Sequence, residues 1–82
     1  MDTASRTHKQ LGAELRRYRK KRDLTQEELS SSINKRQATI SNLESEGKAT
    51  LETLFAVLSA LDLELALKPR SKSGRKKLGD IF

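Results

Sequence analysis

The stretch LTQEELSSSINKRQATISNLE, residues 24–44, decides the fold of this 82-residue chain. Thr25, with Glu28 three residues later, forms a capping box, which predicts a helix that begins at Thr25 and runs to about Ser32. Asn34 follows, and asparagine tolerates the left-handed backbone that a tight turn needs. The stretch therefore predicts a short second helix that ends directly in a tight turn.

A third helix is predicted straight after this turn, from about residue 36 to residue 44, with Gly47 ending it. Helical spacing gives it two chemically different faces. The inner face carries two apolar residues and a carboxylate, whereas the outer face is uncharged, short and rich in hydrogen-bonding groups. The inner residues are Ile40, Leu43 and Glu44; the outer ones are Ala38 and Asn42, flanked by Thr39 and Ser41, with Gln37 at the exposed N-terminal end.

The outer face of this third helix suits the major groove of DNA. Glutamine and asparagine pair with adenine, threonine and alanine methyls touch thymine, and the neighbouring Arg36 can read guanine or bind phosphate. Small side chains also let a helix approach the base edges closely. The alternative is an ordinary solvated helix face, and this would be the favoured interpretation if the polar helix were the only signal. The capping box, the tight turn and the basic first helix together favour DNA recognition.

Two further helices are predicted around this pair. Apolar residues at helical spacing place a first helix over residues 8–22 and a fourth helix that starts near Thr50. The predicted core positions are Leu11, Leu15 and Tyr18 in the first helix, Leu29 and Ile33 in the second, and Leu51, Leu54, Phe55, Leu58 and Leu61 in the fourth. The fold class is therefore all-α, with four helices that share one core.

After Leu61 the apolar period changes to two, which predicts a short strand that ends at Pro69. Its apolar residues are Leu63, Leu65 and Leu67. A lone strand has no ladder, so the simplest partner is the same strand of a second copy across a two-fold axis. The alternatives are a further helical turn or an unstructured tail.

Charge is distributed unevenly along the chain, whose net charge is +6. Residues 8–22 carry a net +6, residues 23–67 a net −5 and residues 68–82 a net +5. This pattern favours binding to a polyanion such as nucleic acid. It is also compatible with a solvated surface or with attraction to anionic lipid. Residues 1–7 are predicted to be a flexible segment, residues 8–68 the folded domain and residues 69–82 a flexible basic tail.

The composition argues against an enzyme. The chain has no cysteine, one histidine, no glycine-rich phosphate loop and no carboxylates at metal-ligand spacing, so we expect no catalytic site, metal or cofactor. His8 is predicted to face solvent. No apolar run is long enough for a membrane span, and the N-terminus lacks a secretory pattern. We therefore expect a cytoplasmic protein, associated with the nucleoid.

The residues from Leu11 to Leu61 resemble the Cro/C1-type (XRE) helix-turn-helix family, and so imply a compact, lambda-repressor-like domain. The likeness lies in LGAELRRYRKKRDLTQEELSSSINKRQATISNLESEG, with its basic first helix, TQEEL second helix and ATIS recognition helix. Within the family the chain is most similar to the HipB-type antitoxins, on the strength of KRQATISNLE and TLFAVLSALDLELAL. In that group the alternating strand pairs between subunits of the dimer. Residues from Pro69 onward lie outside the resemblance.

The resemblance implies roles for individual residues. Gln26 corresponds to a phosphate clamp at the start of the second helix, and Arg19 and Glu44 to an ion pair that locks the first helix to the third. The base-contacting positions are Gln37, Ala38, Ser41 and Asn42, while Lys35, Arg36 and Thr39 are shared between bases and phosphate. Ser30 and Asn34 replace the family's usual alanine and glycine, which is physically mild because serine can bond back to its own helix.

Three functions follow from the sequence. The first is a HipB-like antitoxin that binds its palindromic operator as a homodimer, represses its own operon and restrains a HipA-like serine/threonine kinase toxin. The second is a stand-alone repressor of phage or plasmid type. The third is an adaptor that contacts other proteins and binds DNA only incidentally.

Overall fold

The structure, a computed structural model, describes residues 5–70 and contains four helices in that range. They are α1 (His8–Lys21), α2 (Gln26–Ser32), α3 (Gln37–Glu46) and α4 (Leu51–Ala60). The all-α class is as predicted. None of these helices has the length and apolar character needed to cross a membrane. The outer parts of the predicted N-terminal segment and basic tail, residues 1–4 and 71–82, lie outside the described residues.

Threonine begins three of the four helices. The Oγ1 atoms of Thr7, Thr25 and Thr50 each accept a hydrogen bond from the backbone N–H three residues on. At Thr7 and Thr25 the cap is reciprocal, because Gln10 and Glu28 accept from the backbone of the capping residue. The caps at Thr25 and Thr50 were predicted. Such caps stabilise a helix by about 1 kcal/mol each, which matters in helices of 7–14 residues.

A residue with a left-handed backbone follows the end of each helix within two residues. Asp23, Asn34, Gly47 and Asp62 have φ angles of 58°, 59°, 70° and 61°. After α1, α2 and α4 a backbone N–H also bonds back to a carbonyl of the last turn, from Leu24 to Arg19 and at the equivalent positions of the other two. The prediction for Asn34 is confirmed, while the two aspartates carried no sequence signal beyond their tolerance of this conformation.

The core draws on all four helices. Its buried apolar residues are Leu15, Leu29, Ile40, Leu43, Leu54, Val57, Leu58 and Leu61. The prediction for α4 was wrong at two positions, since Leu51 is 71% exposed and Phe55 is 50% exposed. The buried stripe of α4 starts at Leu54 and includes Val57, so it is rotated away from the face that Leu51 and Phe55 share. A domain this small buries only one stripe of each helix.

Gly12 lets α1 and α3 approach closely. A Cβ atom at Gly12 would overlap the carbonyl oxygen of Leu43 and would lie 2.9 Å from the carbonyl oxygen of Glu44. At the other end of the same contact, His8 Nδ1 hydrogen-bonds the carbonyl oxygen of Glu46 at 2.8 Å. His8 is exposed, as predicted, but it also ties the start of α1 to the end of α3. These contacts fix where α3 lies on α1.

The segment after α4 is neither helical nor paired in the single chain. Leu63 packs against the core, whereas Leu65 is 44% exposed and Leu67 is 92% exposed. Within residues 5–70 there is no strand. A strand requires a ladder partner, and the predicted partner is a second copy. The pairing of residues 63–67 between subunits therefore stays a prediction.

Candidate nucleic-acid interface

The turn between α2 and α3 is held by Ser30. Its side chain is buried, and its Oγ donates to the carbonyl oxygen of Glu27 at 2.9 Å. Its own carbonyl oxygen accepts the N–H of Lys35 at 2.8 Å and closes the turn. Serine therefore bonds back to its own helix, as predicted. The turn thus joins α2 directly to α3.

The two faces of α3 are separated as predicted. Ile40, Leu43 and Glu44 are buried, which fixes the inner face against the rest of the domain. The candidate base-contacting residues lie on the other side. Gln37, Ala38 and Asn42 are exposed, and Thr39 and Ser41 are half-buried on the two flanks. The outer face is uncharged and contains only side chains of Gln, Ala, Thr, Ser and Asn.

Arg19 and Glu44 form a buried, two-point ion pair between α1 and α3. Arg19 Nε lies 2.6 Å from Glu44 Oε2, and Nη2 lies 3.0 Å from Oε1. Arg19 Nη1 also donates to the carbonyl oxygen of Leu24 at 2.5 Å. A planar guanidinium held at three points orients its partners strongly. The pair thus fixes the rotation of α3 and, with it, the direction of the outer face.

Gln26 connects this ion pair to the first residue of α3. Its Nε2 donates to Glu44 Oε1 at 3.1 Å, and its Oε1 accepts from Gln37 Nε2 at 3.4 Å. The sequence predicted a phosphate clamp at Gln26 and gave no signal for these contacts. In the protein alone, Gln26 lies half-buried and links Glu44 to Gln37. A buried carboxylate therefore orients the side chain at the start of the outer face.

Lys35 and Arg36 stand exposed at the N-terminal end of α3. Arg36 occupies the N-cap position but makes no side-chain cap, in contrast to the threonines that begin the other three described helices. Both cations lie next to Gln37. The structure thus brings Gln26 into contact with Gln37 at the start of α3, and the other candidate DNA-contacting residues lie on α3 or directly before it.

A short helix, a tight turn and a second helix with an uncharged outer face define a helix-turn-helix DNA-binding domain. The chain belongs to the Cro/C1-type helix-turn-helix family, because the helix-turn-helix family model matches residues 15–68. The solved structures that it resembles include several of HipB, which confirms the resemblance drawn from the sequence. No curated protein matches the chain.

Two of these solved structures show how far the likeness extends. In a complex of a HipB variant with an O2 20mer, HipB is 32% identical to this chain. The match covers 87% of this chain and 100% of HipB, with a TM-score of 0.80. In a HipA–HipB–O2–O3 complex the identity is also 32%, over 85% of this chain and 100% of that one, with a TM-score of 0.79. The likeness to HipB thus covers most of this chain and the whole of the HipB chain.

Proposed function

We propose that this protein is the antitoxin of a HipA-like kinase toxin–antitoxin operon and that it represses its own promoter as a homodimer. The observation that carries the proposal is the 32% identity to HipB over the whole of the HipB chain, including HipB in a complex with HipA. We ascribe no catalytic activity to it, since the helix-turn-helix family is a binding family.

In this proposal the outer face of α3 enters the major groove of the operator. Gln37, Ala38, Ser41 and Asn42 contact base edges, and Lys35, Arg36 and Thr39 are shared between bases and phosphates. Gln26 Nε2 uses one of its two N–H donors on Glu44, and the second can donate to a phosphate while Oε1 still accepts from Gln37.

The homodimer provides two copies of α3 for a palindromic operator. Leu65 and Leu67 are exposed in the single chain, and pairing of residues 63–67 across a two-fold axis would bury them. Two half-sites about one helical turn apart are bound together only when the two copies of α3 are held at that spacing.

Leu65→Lys should therefore break the dimer and leave the four-helix domain folded. A lysine at this position places a cation against its own symmetry mate or against a leucine, and both are unfavourable. Sedimentation should show a monomer with unchanged helical content, and operator affinity should fall sharply. Ala66→Lys makes a matched control, because it adds the same charge one position later, on the other side of an extended segment, and should leave the dimer intact. A Leu65→Lys protein that is still dimeric would exclude this segment from the interface.

The association with a toxin is tested by co-purification. The tagged protein is isolated from its native host, and the bound proteins are identified by mass spectrometry. We expect a serine/threonine kinase encoded beside the gene, and we expect its autophosphorylation to fall when the purified protein is added back. Recovery of operator DNA without any kinase would leave the DNA-binding function standing and would overturn the antitoxin assignment.

A further inference from the structure

The cations of α1 lie on two different flanks of the helix. One face of α1 carries the positions Lys9, Ala13, Arg16 and Lys20, which follow one another at intervals of three or four residues. We call its three cations the basic stripe. Arg17 and Lys21 belong to a second stripe that also contains Glu14. All five cations are exposed. The five cations are therefore divided between two surfaces of α1 that face in different directions.

The packing of α1 places the basic stripe beside α3. Gly12 and Arg19 face α3, as shown by the close approach to Leu43 and by the ion pair with Glu44. Lys9 and Arg16 are the neighbours of Gly12 at three and four residues, on the side away from the buried Leu15. The seam between α1 and α3 thus has the core on one side and the basic stripe on the other.

Lys20 provides an independent link to the recognition surface. It lines an open groove whose other walls include Gln26 and Gln37, the residues at the starts of α2 and α3. The C-terminal end of the basic stripe therefore borders the same surface as the candidate base-contacting residues. Its N-terminal end lies near the end of α3, because His8 bonds to Glu46. The stripe runs alongside α3 from one end to the other.

The two flanks also differ in the partners of their cations. Arg17 pairs with Glu14 at 2.7 Å, and the hydrogen bond and charge of Glu14 raise its pKa above the ordinary value. Arg17 and Lys21 both stand over the ring of Tyr18, at 5.0 Å and 5.5 Å from its centroid. Within residues 5–70, no carboxylate lies at ion-pair distance from Lys9, Arg16 or Lys20. In this part of the chain, the cations beside α3 therefore have no carboxylate partner, whereas Arg17 on the other flank has one.

We propose that the basic stripe of α1 binds the phosphate backbone of DNA along one edge of the groove that α3 enters. The proposal rests on DNA binding by α3 and extends it to residues outside the helix-turn-helix unit. The cations grip phosphates without reading sequence, so they add affinity on any duplex and fix the orientation of α3 over the bases.

The chain offers a matched pair of variants for the test. Arg16→Gln with Lys20→Gln removes one arginine and one lysine from the basic stripe, and Arg17→Gln with Lys21→Gln removes the same charges from the other flank. Binding to a mixed-sequence duplex is measured against salt concentration, and thermal unfolding confirms that both variants fold. Each lost phosphate contact makes the log–log salt slope shallower by about 0.9, so the stripe variant should change it by about 1.8. At about 0.1 M salt this corresponds to a loss of affinity of roughly 10- to 100-fold.

The control variant should change the slope by much less. Equal changes in both variants would show that the effect arises from overall charge and not from one flank. No change in the stripe variant would point to a different partner, such as an acidic protein. Either result overturns the proposal. Absence of salt-dependent DNA binding by the unaltered protein would overturn both this proposal and the DNA-binding function.

A second measurement needs no variant. Lysines of the unaltered protein are acetylated with and without duplex DNA, and the modified positions are identified by mass spectrometry. DNA should protect Lys9 and Lys20 and leave Lys21 reactive. Equal protection of Lys21 would contradict the assignment of the contact to one flank.

Discussion

Glu44→Ala should cost about 3–5 kcal/mol of folding free energy, because it leaves the guanidinium of Arg19 buried without its counter-charge. Arg19 keeps only its bond to the carbonyl of Leu24, and Gln26 loses its acceptor as well. A domain of this size has total stability of the same order, so the variant should be largely unfolded at ambient temperature. Urea unfolding followed by circular dichroism measures the change.

Two controls separate burial from charge. Glu14→Ala breaks the exposed Arg17–Glu14 pair and should cost less than about 1 kcal/mol. Replacing both buried partners, Arg19→Met with Glu44→Leu, should recover much of the lost stability, because no unpaired charge remains. If Glu44→Ala costs no more than Glu14→Ala, the buried pair does not hold α1 against α3.

Gly12→Ala should destabilise the domain by about 1–3 kcal/mol, although alanine is the better helix former by about 1 kcal/mol. The added methyl would overlap backbone carbonyl oxygens at Leu43 and Glu44, and backbone atoms cannot rotate away as a side chain would. The two helices must separate, which also disturbs the direction of α3. Thermal unfolding measures the loss.

Ala13→Val is the control for Gly12→Ala, since it adds bulk at the next position of the same helix, where the side chain is exposed. It should cost about 0.5 kcal/mol through helix propensity alone. A Gly12→Ala protein that is more stable than the unaltered one would show that α1 and α3 are not in close contact at this position.

The local signals in the sequence predicted the helix-turn-helix unit well. Thr25 with Glu28, Asn34 and Gly47 each act within a few residues, through a cap or a backbone conformation, so their effect can be read without knowledge of the tertiary fold. The inner face of α3 was predicted for the same reason, because the position of one face follows from helical spacing. Gly12 was missed, although a glycine inside a helix often indicates close packing.

Features that depend on packing between distant segments were not predictable in this way. Apolar spacing in α4 fits two overlapping stripes, and only packing against the shared core decides that Leu54 and Val57 are buried while Leu51 and Phe55 are exposed. The chain of hydrogen bonds from Glu44 through Gln26 to Gln37 joins α2 to two positions of α3, at separations of 18 and 11 residues in sequence. The paired strand depends on a second copy and stays a prediction.

The direct test of the central claim, that the outer face of α3 reads DNA sequence, compares Gln37→Ala with the unaltered protein on two duplexes. One is the site that the unaltered protein selects from a random-sequence library, and the other is a mixed-sequence duplex. Gln37 is exposed and its bond to Gln26 is long, so the variant should fold normally. Binding to the selected site should weaken by roughly 1–3 kcal/mol, with little change on the mixed-sequence duplex. Equal losses on both duplexes, or no loss on either, would contradict base reading by this face.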